Sequence, residues 1–174
     1  MSQRSGRKRS RRFPAREGGI SSGPSTGRER RDLPLASIFT RIIDGELPGR
    51  FVWRDEQAVA FLTAEPLKPG HTLVVPRQEV DHWLDLPPEL AAHLMRVAQS
   101  VGRGIQRAFR SAKVGLVILG LEVRHVHLHL SPIDGMRDLD FAQADRKPDV
   151  KAMDAAAERL RAALRELGYA ATCD

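Results

Sequence analysis

The chain is short of several residue types on which common protein classes depend. It has 174 residues and one cysteine, Cys173, close to the C-terminus. A lone cysteine cannot support a disulfide framework or a cysteine-based metal site. No apolar run is long enough to span a bilayer, and the first residues lack the apolar stretch of a secretory signal. A cytoplasmic protein that does not enter membranes is the expectation. Acidic residues are scarce at one end only. Residues 1–32 carry ten Lys/Arg against three Asp/Glu, leaving eighteen basic against nineteen acidic in the remainder. The basic isoelectric point near 10.2 thus belongs to the tail and not to the domain that follows.

The tail also lacks periodic apolar residues. It is rich in Arg, Ser and Gly, cannot bury enough surface to offset its ordering entropy, and is expected to be disordered over 1–32. A basic arm for nucleic acid, a transit peptide, a solvated extension, and a start codon placed too far upstream are all consistent with it. Residues 33–174 have the length of one domain with room for a core.

What the domain does have is a row of histidines, Arg124-His125-Val126-His127-Leu128-His129-Leu130. In a strand, successive side chains point to opposite faces, so three imidazoles share one face while Val126, Leu128 and Leu130 share the other. The aliphatic face packs onto a core; the imidazole face has no such structural use. Three chemistries fit it. Neutral imidazole is a metal ligand, but at roughly 3.3 Å per residue His125 and His129 lie about 13 Å apart and could hardly share one zinc. Partly protonated imidazoles could bind an anion. The third, which we favour, is nucleophilic catalysis: a central His127 forms a covalent intermediate while its neighbours handle charge and protons.

The remaining elements follow from patterning. Ile38, Phe39, Ile42 and Ile43 outline a short amphipathic helix capped by Ser37 and ended by Asp44-Gly45. Phe51–Arg54 and Ala58–Leu62 form a hairpin, and His71–Pro76 a third strand after the Pro66–Gly70 loop. Pro87-Pro88 introduces a helix over Glu89–Phe109 that buries Leu90, Leu94, Val97, Val101 and Ile105. Its Gly102 and Gly104 weaken it or admit a close neighbour. Val114–Leu119 is continuously apolar and is expected at the centre of a sheet. Gly120-Leu121-Glu122 breaks the chain before the histidine strand. An irregular stretch follows Pro132, then a helix over about 150–167. His82 and His93 match no motif and are expected at the surface.

At these residues the chain resembles the histidine triad (HIT) family of nucleotide hydrolases and transferases. The resemblance spans about Ser37 to Pro132. It rests on His125 to Leu130, with polar Ser131 in the last place of the motif, on Ile38-Phe39 with Ile42-Ile43, on Gly45-Glu46-Leu47-Pro48, and on Pro69-Gly70-His71-Thr72-Leu73-Val74-Val75-Pro76. It implies an α+β fold, an antiparallel five-stranded sheet with helices packed against it, and a homodimer whose two sheets join. It also implies a nucleotide or nucleotide-like substrate cleaved at a phosphoramidate, ester or anhydride bond through a nucleotidyl-histidine. No cofactor is implied. His127 would be the nucleophile. His125 and His129 would orient it, contact phosphate oxygens or assist the leaving group, with His71 as a fourth, supporting imidazole. A satisfied core histidine is the plain alternative for His71.

The departures from the family pattern are specific. Many members carry Cys-x-x-Cys where this chain has Ser37 and Thr40, so structural zinc is not expected. Thr63, after Phe61-Leu62, replaces the Asp that holds ribose hydroxyls. Leu121 replaces a polar amide near phosphate, and Glu122 brings a carboxylate to the threshold of the catalytic strand. Phe61, Thr63, Glu122 and His71 are therefore the expected substrate-binding residues, and no metal ligand is expected. A protein that retains the pocket but binds nucleotide without turnover is the alternative.

Overall fold

The computed structural model describes residues 36–171. The basic tail expected over 1–32 lies outside the described residues. The chain forms helix α1 (Ile38–Ile43), strands β1 (Phe51–Arg54), β2 (Ala58–Leu62) and β3 (Thr72–Pro76), and helix α2 (Pro88–Phe109). Strands β4 (Lys113–Ile118) and β5 (Leu128–Ile133) and helix α3 (Val150–Glu166) complete it. The strands build one antiparallel sheet in the order β1-β2-β3-β5-β4.

The period of two along β2 shows how the sheet is used. Every β2 residue is buried. Ala58, Ala60 and Leu62 enter a core shared with α2 and α3, through residues such as Leu94, Val101, Ile105 and Leu160. Val59 and Phe61 face the other way, into a smaller cluster with Phe39 of α1, Phe51, Leu73 and Val75. A strand covered on both faces reads as an unbroken apolar run. The large core thus lies on one side of the sheet, and α1 covers part of the other.

Strand β4 departs from expectation. Its continuous hydrophobicity suggested a central strand, yet it pairs only with β5 and lies at the edge. Leu116 is 41 % exposed. An apolar run reports that a strand wants cover, not that its own chain supplies it.

The glycines of α2 also divide. A Cβ on Gly104 would lie 2.6 Å from Leu164 Cδ2, so this glycine admits α3 of the same chain. Around Gly102 the nearest atom, Val114 Cγ1, is 3.9 Å from such a Cβ. His93 is half-buried rather than superficial, donating Nε2–H to Asp55 Oδ2 at 3.0 Å. His82 is exposed as expected.

Candidate active site

The histidine row enters the sheet only at its end. Strand β5 begins at Leu128, so His125 and His127 lie in the segment before it. The alternation persists without the ladder: Val126, Leu128 and Leu130 all face the large core. The imidazoles consequently share the opposite side, beside Phe39. The ring centroids of His127 and His129 are 4.8 Å apart, and Phe39 meets His127 edge-on at 4.9 Å.

Each ring is oriented by a partner whose role is fixed. Gly70 has φ +93°, a left-handed conformation that suits glycine, and a Cβ there would strike the Phe109 ring at 2.2 Å. That turn delivers His71 to the start of β3. The main-chain N–H of Leu67 donates to His71 Nδ1 at 3.1 Å. An amide can only donate, so His71 carries its proton on Nε2 and donates it to His129 Nδ1 at 3.0 Å. His129 in turn keeps its own proton on Nε2. His127 Nδ1 lies 2.7 Å from the His125 carbonyl oxygen, an acceptor, so it is protonated and the Nε2 lone pair is free.

His125 differs from the other two. It is fully buried. Its Nε2–H donates to Pro76 O at 2.8 Å, and its Nδ1 accepts from Ser37 Oγ at 2.7 Å. Both ring nitrogens are held by the protein, and what it offers the site is its main-chain carbonyl.

Burial favours the neutral form of all four rings. It pushes His71 down to about 4. His129 falls to about 3, through burial first and then through the neighbouring His127 and His71. His127 is also lowered by burial, opposed by its bond to the His125 carbonyl and by the charge of Glu122. A neutral His127 is the nucleophilic form at neutral pH.

The other expected residues are more dispersed. Phe61 is buried, its ring tilted against that of Phe39 at 5.8 Å between centroids, one ring removed from His127. Thr63 is half-buried; its main-chain N–H donates to the His71 carbonyl at 3.1 Å, which ties β2 to the site without bringing its hydroxyl to the imidazoles. Glu122 is exposed and reaches His127 only through its charge. Leu121 is 88 % exposed.

Sequence reasoning missed Phe141. Its ring stands edge-on to His129 at 5.0 Å and to His71 at 6.2 Å. The segment that carries it is fastened to the Pro66–Gly70 loop by Lys68, whose Nζ reaches Asp138 at 2.7 Å and Asp134 at 3.1 Å. Asp145 N–H donates to Pro66 O at 3.0 Å on the same side. An aromatic residue in an irregular stretch gives no periodic signal.

The sequence pattern of the HIT domain matches residues 44–136. The chain belongs to the HIT domain family. Among curated HIT relatives, an uncharacterized HIT-like protein of Methanocaldococcus jannaschii is 30% identical over 99 residues, covering 55% of this chain and 77% of its own length. A zinc-bound histidine triad family protein from Mycobacterium smegmatis superposes with a TM-score of 0.66 at 29% identity, over 76% of this chain and 96% of that one. A hypothetical histidine triad nucleotide-binding protein from Sulfolobus tokodaii superposes at 0.64 and 27% identity, over 74% and 92%. The matched HIT segment contains all four imidazoles of the site but neither Ser37 and Thr40 nor Phe141.

The Mycobacterium smegmatis relative binds zinc. Zinc in proteins is held by thiolates, imidazoles and carboxylates. Beside His125 this HIT domain offers the hydroxyls of Ser37 and Thr40 and the one carboxylate of Glu79, which already accepts from Ser37 N–H and the Thr40 hydroxyl, and both nitrogens of His125 have protein partners. Among the described residues no group of three His, Cys, Asp or Glu could hold a metal ion. The donor set does not fit zinc.

Proposed function

We propose that the protein is a hydrolase or transferase of nucleotide-like phosphoramidates or phosphate esters, working through a covalent nucleotidyl-His127 intermediate. The observation that carries this reading is the hydrogen bond from His127 Nδ1 to the His125 carbonyl at 2.7 Å, which leaves the Nε2 lone pair unprotonated beside a second imidazole. In the first step Nε2 attacks phosphorus, an N–P bond forms, and the bond from phosphorus to the leaving group breaks. His129, with Nε2–H available, hydrogen-bonds the phosphoryl oxygens or the departing group. In the second step water attacks phosphorus, the N–P bond breaks, and a nucleoside monophosphate leaves with His127 restored. Splitting the displacement in two is what a neutral imidazole nucleophile supplies.

The test is covalent labelling with an α-phosphate-labelled nucleoside phosphoramidate, quenched in alkali and followed by mass spectrometry. Label on His127, with turnover and label both abolished in His127→Ala, is the expected result. Near wild-type turnover in that variant refutes the mechanism. A second reading, nucleotide binding without turnover, draws on Leu121 and Thr63, whose side chains replace polar grips; binding without label identifies it.

We further infer a homodimer. β4 presents an open strand edge, and a groove between it and α2 is lined by Met95, Gly102, Val114 and Leu116. Met95 is 50 % exposed and Leu116 41 %. This groove opens on the sheet face opposite the imidazoles, so a second copy that continues the sheet through β4 covers it without closing the site.

A further inference from the structure

A serine cap usually explains itself. Ser37 Oγ accepts the Thr40 N–H at 3.0 Å and so satisfies one of the free amides at the start of α1. A carboxylate does the same for α3, where Asp149 accepts from Ala152 N–H at 2.8 Å. The serine hydroxyl differs in one respect: its proton is still available after the cap is made. Here that proton has a receiver, because His125 Nε2 is committed to Pro76 O and its Nδ1 must accept.

The arrangement continues outward. Thr40 Oγ1 lies 3.1 Å from Ser37 Oγ and donates to Glu79 Oε2 in a short hydrogen bond. Glu79 Oε2 also accepts the Ser37 main-chain N–H at 3.0 Å. These bonds hold the carboxyl of Glu79 below its usual range. Glu79 thus anchors both ends of the Ser37–Thr40 turn. Its own segment grips the chain at His125 twice more, through Pro76 O on the ring and through Val80 O, which accepts the Val126 N–H at 2.7 Å. The peptide held by Val80 is the one whose carbonyl receives His127 Nδ1–H.

We infer that Ser37, Thr40 and Glu79 are positioning residues for the nucleophile: Glu79 fixes the Ser37–Thr40 turn through the Ser37 N–H and the Thr40 hydroxyl, the Ser37 hydroxyl locks the His125 ring and, through the His125 carbonyl, His127 is kept in its Nδ1–H tautomer. None of the three bonds to His127. They act through His125, and they occupy the place where a donor set fit for a metal is missing. Two of them, Ser37 and Thr40, lie outside the matched HIT segment. The inference rests on the reading of His127 as nucleophile only for its effect on rate; the tautomer it concerns is a property of the free protein.

The experiment uses the full chain with 15N-labelled histidine. Ring 15N shifts report the tautomers of His125 and His127 directly, and steady-state kinetics are run alongside. Ser37→Gly removes the hydroxyl while keeping most of the cap, since glycine is a tolerated N-cap. Glu79→Ala removes an exposed side chain whose loss leaves the core intact. In both, the expected result is a mixed population of His127 tautomers, with kcat lowered about tenfold and KM within about twofold. Ser37→Thr restores the single tautomer and the rate. A His127 that stays in one Nδ1–H form in both variants overturns the inference. If the tautomers shift but the wild type forms no covalent intermediate, the positioning role stands and the proposed hydrolase does not.

Discussion

The His71–His129 pair predicts how the fold responds to acid. His71 is 1 % exposed, and burial holds its folded pKa at about 4 against about 6.5 in an unfolded chain. A proton that binds the unfolded state first favours unfolding. The contribution of His71 is therefore fully present above pH 6.5, lost progressively as pH falls below it, and exhausted near pH 4. Between pH 7 and pH 5 the two binding curves differ by about 2 kcal/mol for this one residue. Charging it would also set two donors facing one another, His71 Nδ1–H and the Leu67 N–H, which already donates to Nδ1 and cannot accept. The assay is urea unfolding at pH 7 and pH 5, followed by fluorescence of Trp53 and Trp83. Wild type and His71→Gln are compared, because glutamine can still donate toward His129 without titrating. The variant is expected to be less stable at pH 7 yet to lose about 2 kcal/mol less on acidification. Release of His129 from its neighbour works in the same direction. Equal losses in the two proteins would falsify the assignment of His71 as a buried neutral ring.

Three further outcomes are expected. Glu122→Gln removes a negative charge that reaches His127, so kcat/KM for dinucleoside polyphosphates is expected to rise about two- to fivefold relative to phosphoramidates; equal effects on both substrate classes would sink the idea. Leu116→Glu at the exposed edge of β4 is expected to convert a dimer into a monomer by light scattering at micromolar concentration, and a wild-type monomer refutes the pairing. Turnover is expected to survive prolonged EDTA treatment, because the groups around His125 are two hydroxyls, a single carboxylate engaged by Ser37 and Thr40, and a ring already bonded at both nitrogens; loss on chelation with recovery on added zinc contradicts this.

Legibility in the sequence followed physical type. The bounds of β1 and β2, and the face to which Val126, Leu128 and Leu130 point, were legible in the residue pattern, and the alternation persists ahead of the ladder; the histidine row itself, expected as a strand, joins the sheet only from Leu128. His71 was legible only through the resemblance of the Pro69-Gly70-His71 run to the family segment; the left-handed turn at Gly70 is the physical reason such a run places an imidazole there. The position of β4 was not, because hydrophobicity along a strand measures the demand for cover and carries no record of whose surface meets it. Gly104 suggested a close approach but not by which helix; Leu160 and Leu164 answer that only once α3 is folded back. Glu79 and Phe141 left no trace at all. A carboxylate on an exposed turn and an aromatic ring in an irregular stretch become part of the site through tertiary placement alone.

One consequence of the Leu67 amide reaches beyond the pair it orders. A main-chain N–H has no second state: it neither titrates nor turns over to accept. The hydrogen-bond direction that passes from Leu67 through His71 to His129 is therefore hard-wired by the polymer and not set by the solution. With both rings holding out against protonation until well below neutrality, the donor shown by His129 Nε2 is the same at pH 6 as at pH 8. A phosphate monoester takes on its second charge within that interval, near pH 6. The His71–His129 pair thus adds no pH dependence of its own across that interval, and it would meet both ionisation states of a phosphate ligand with the same donor.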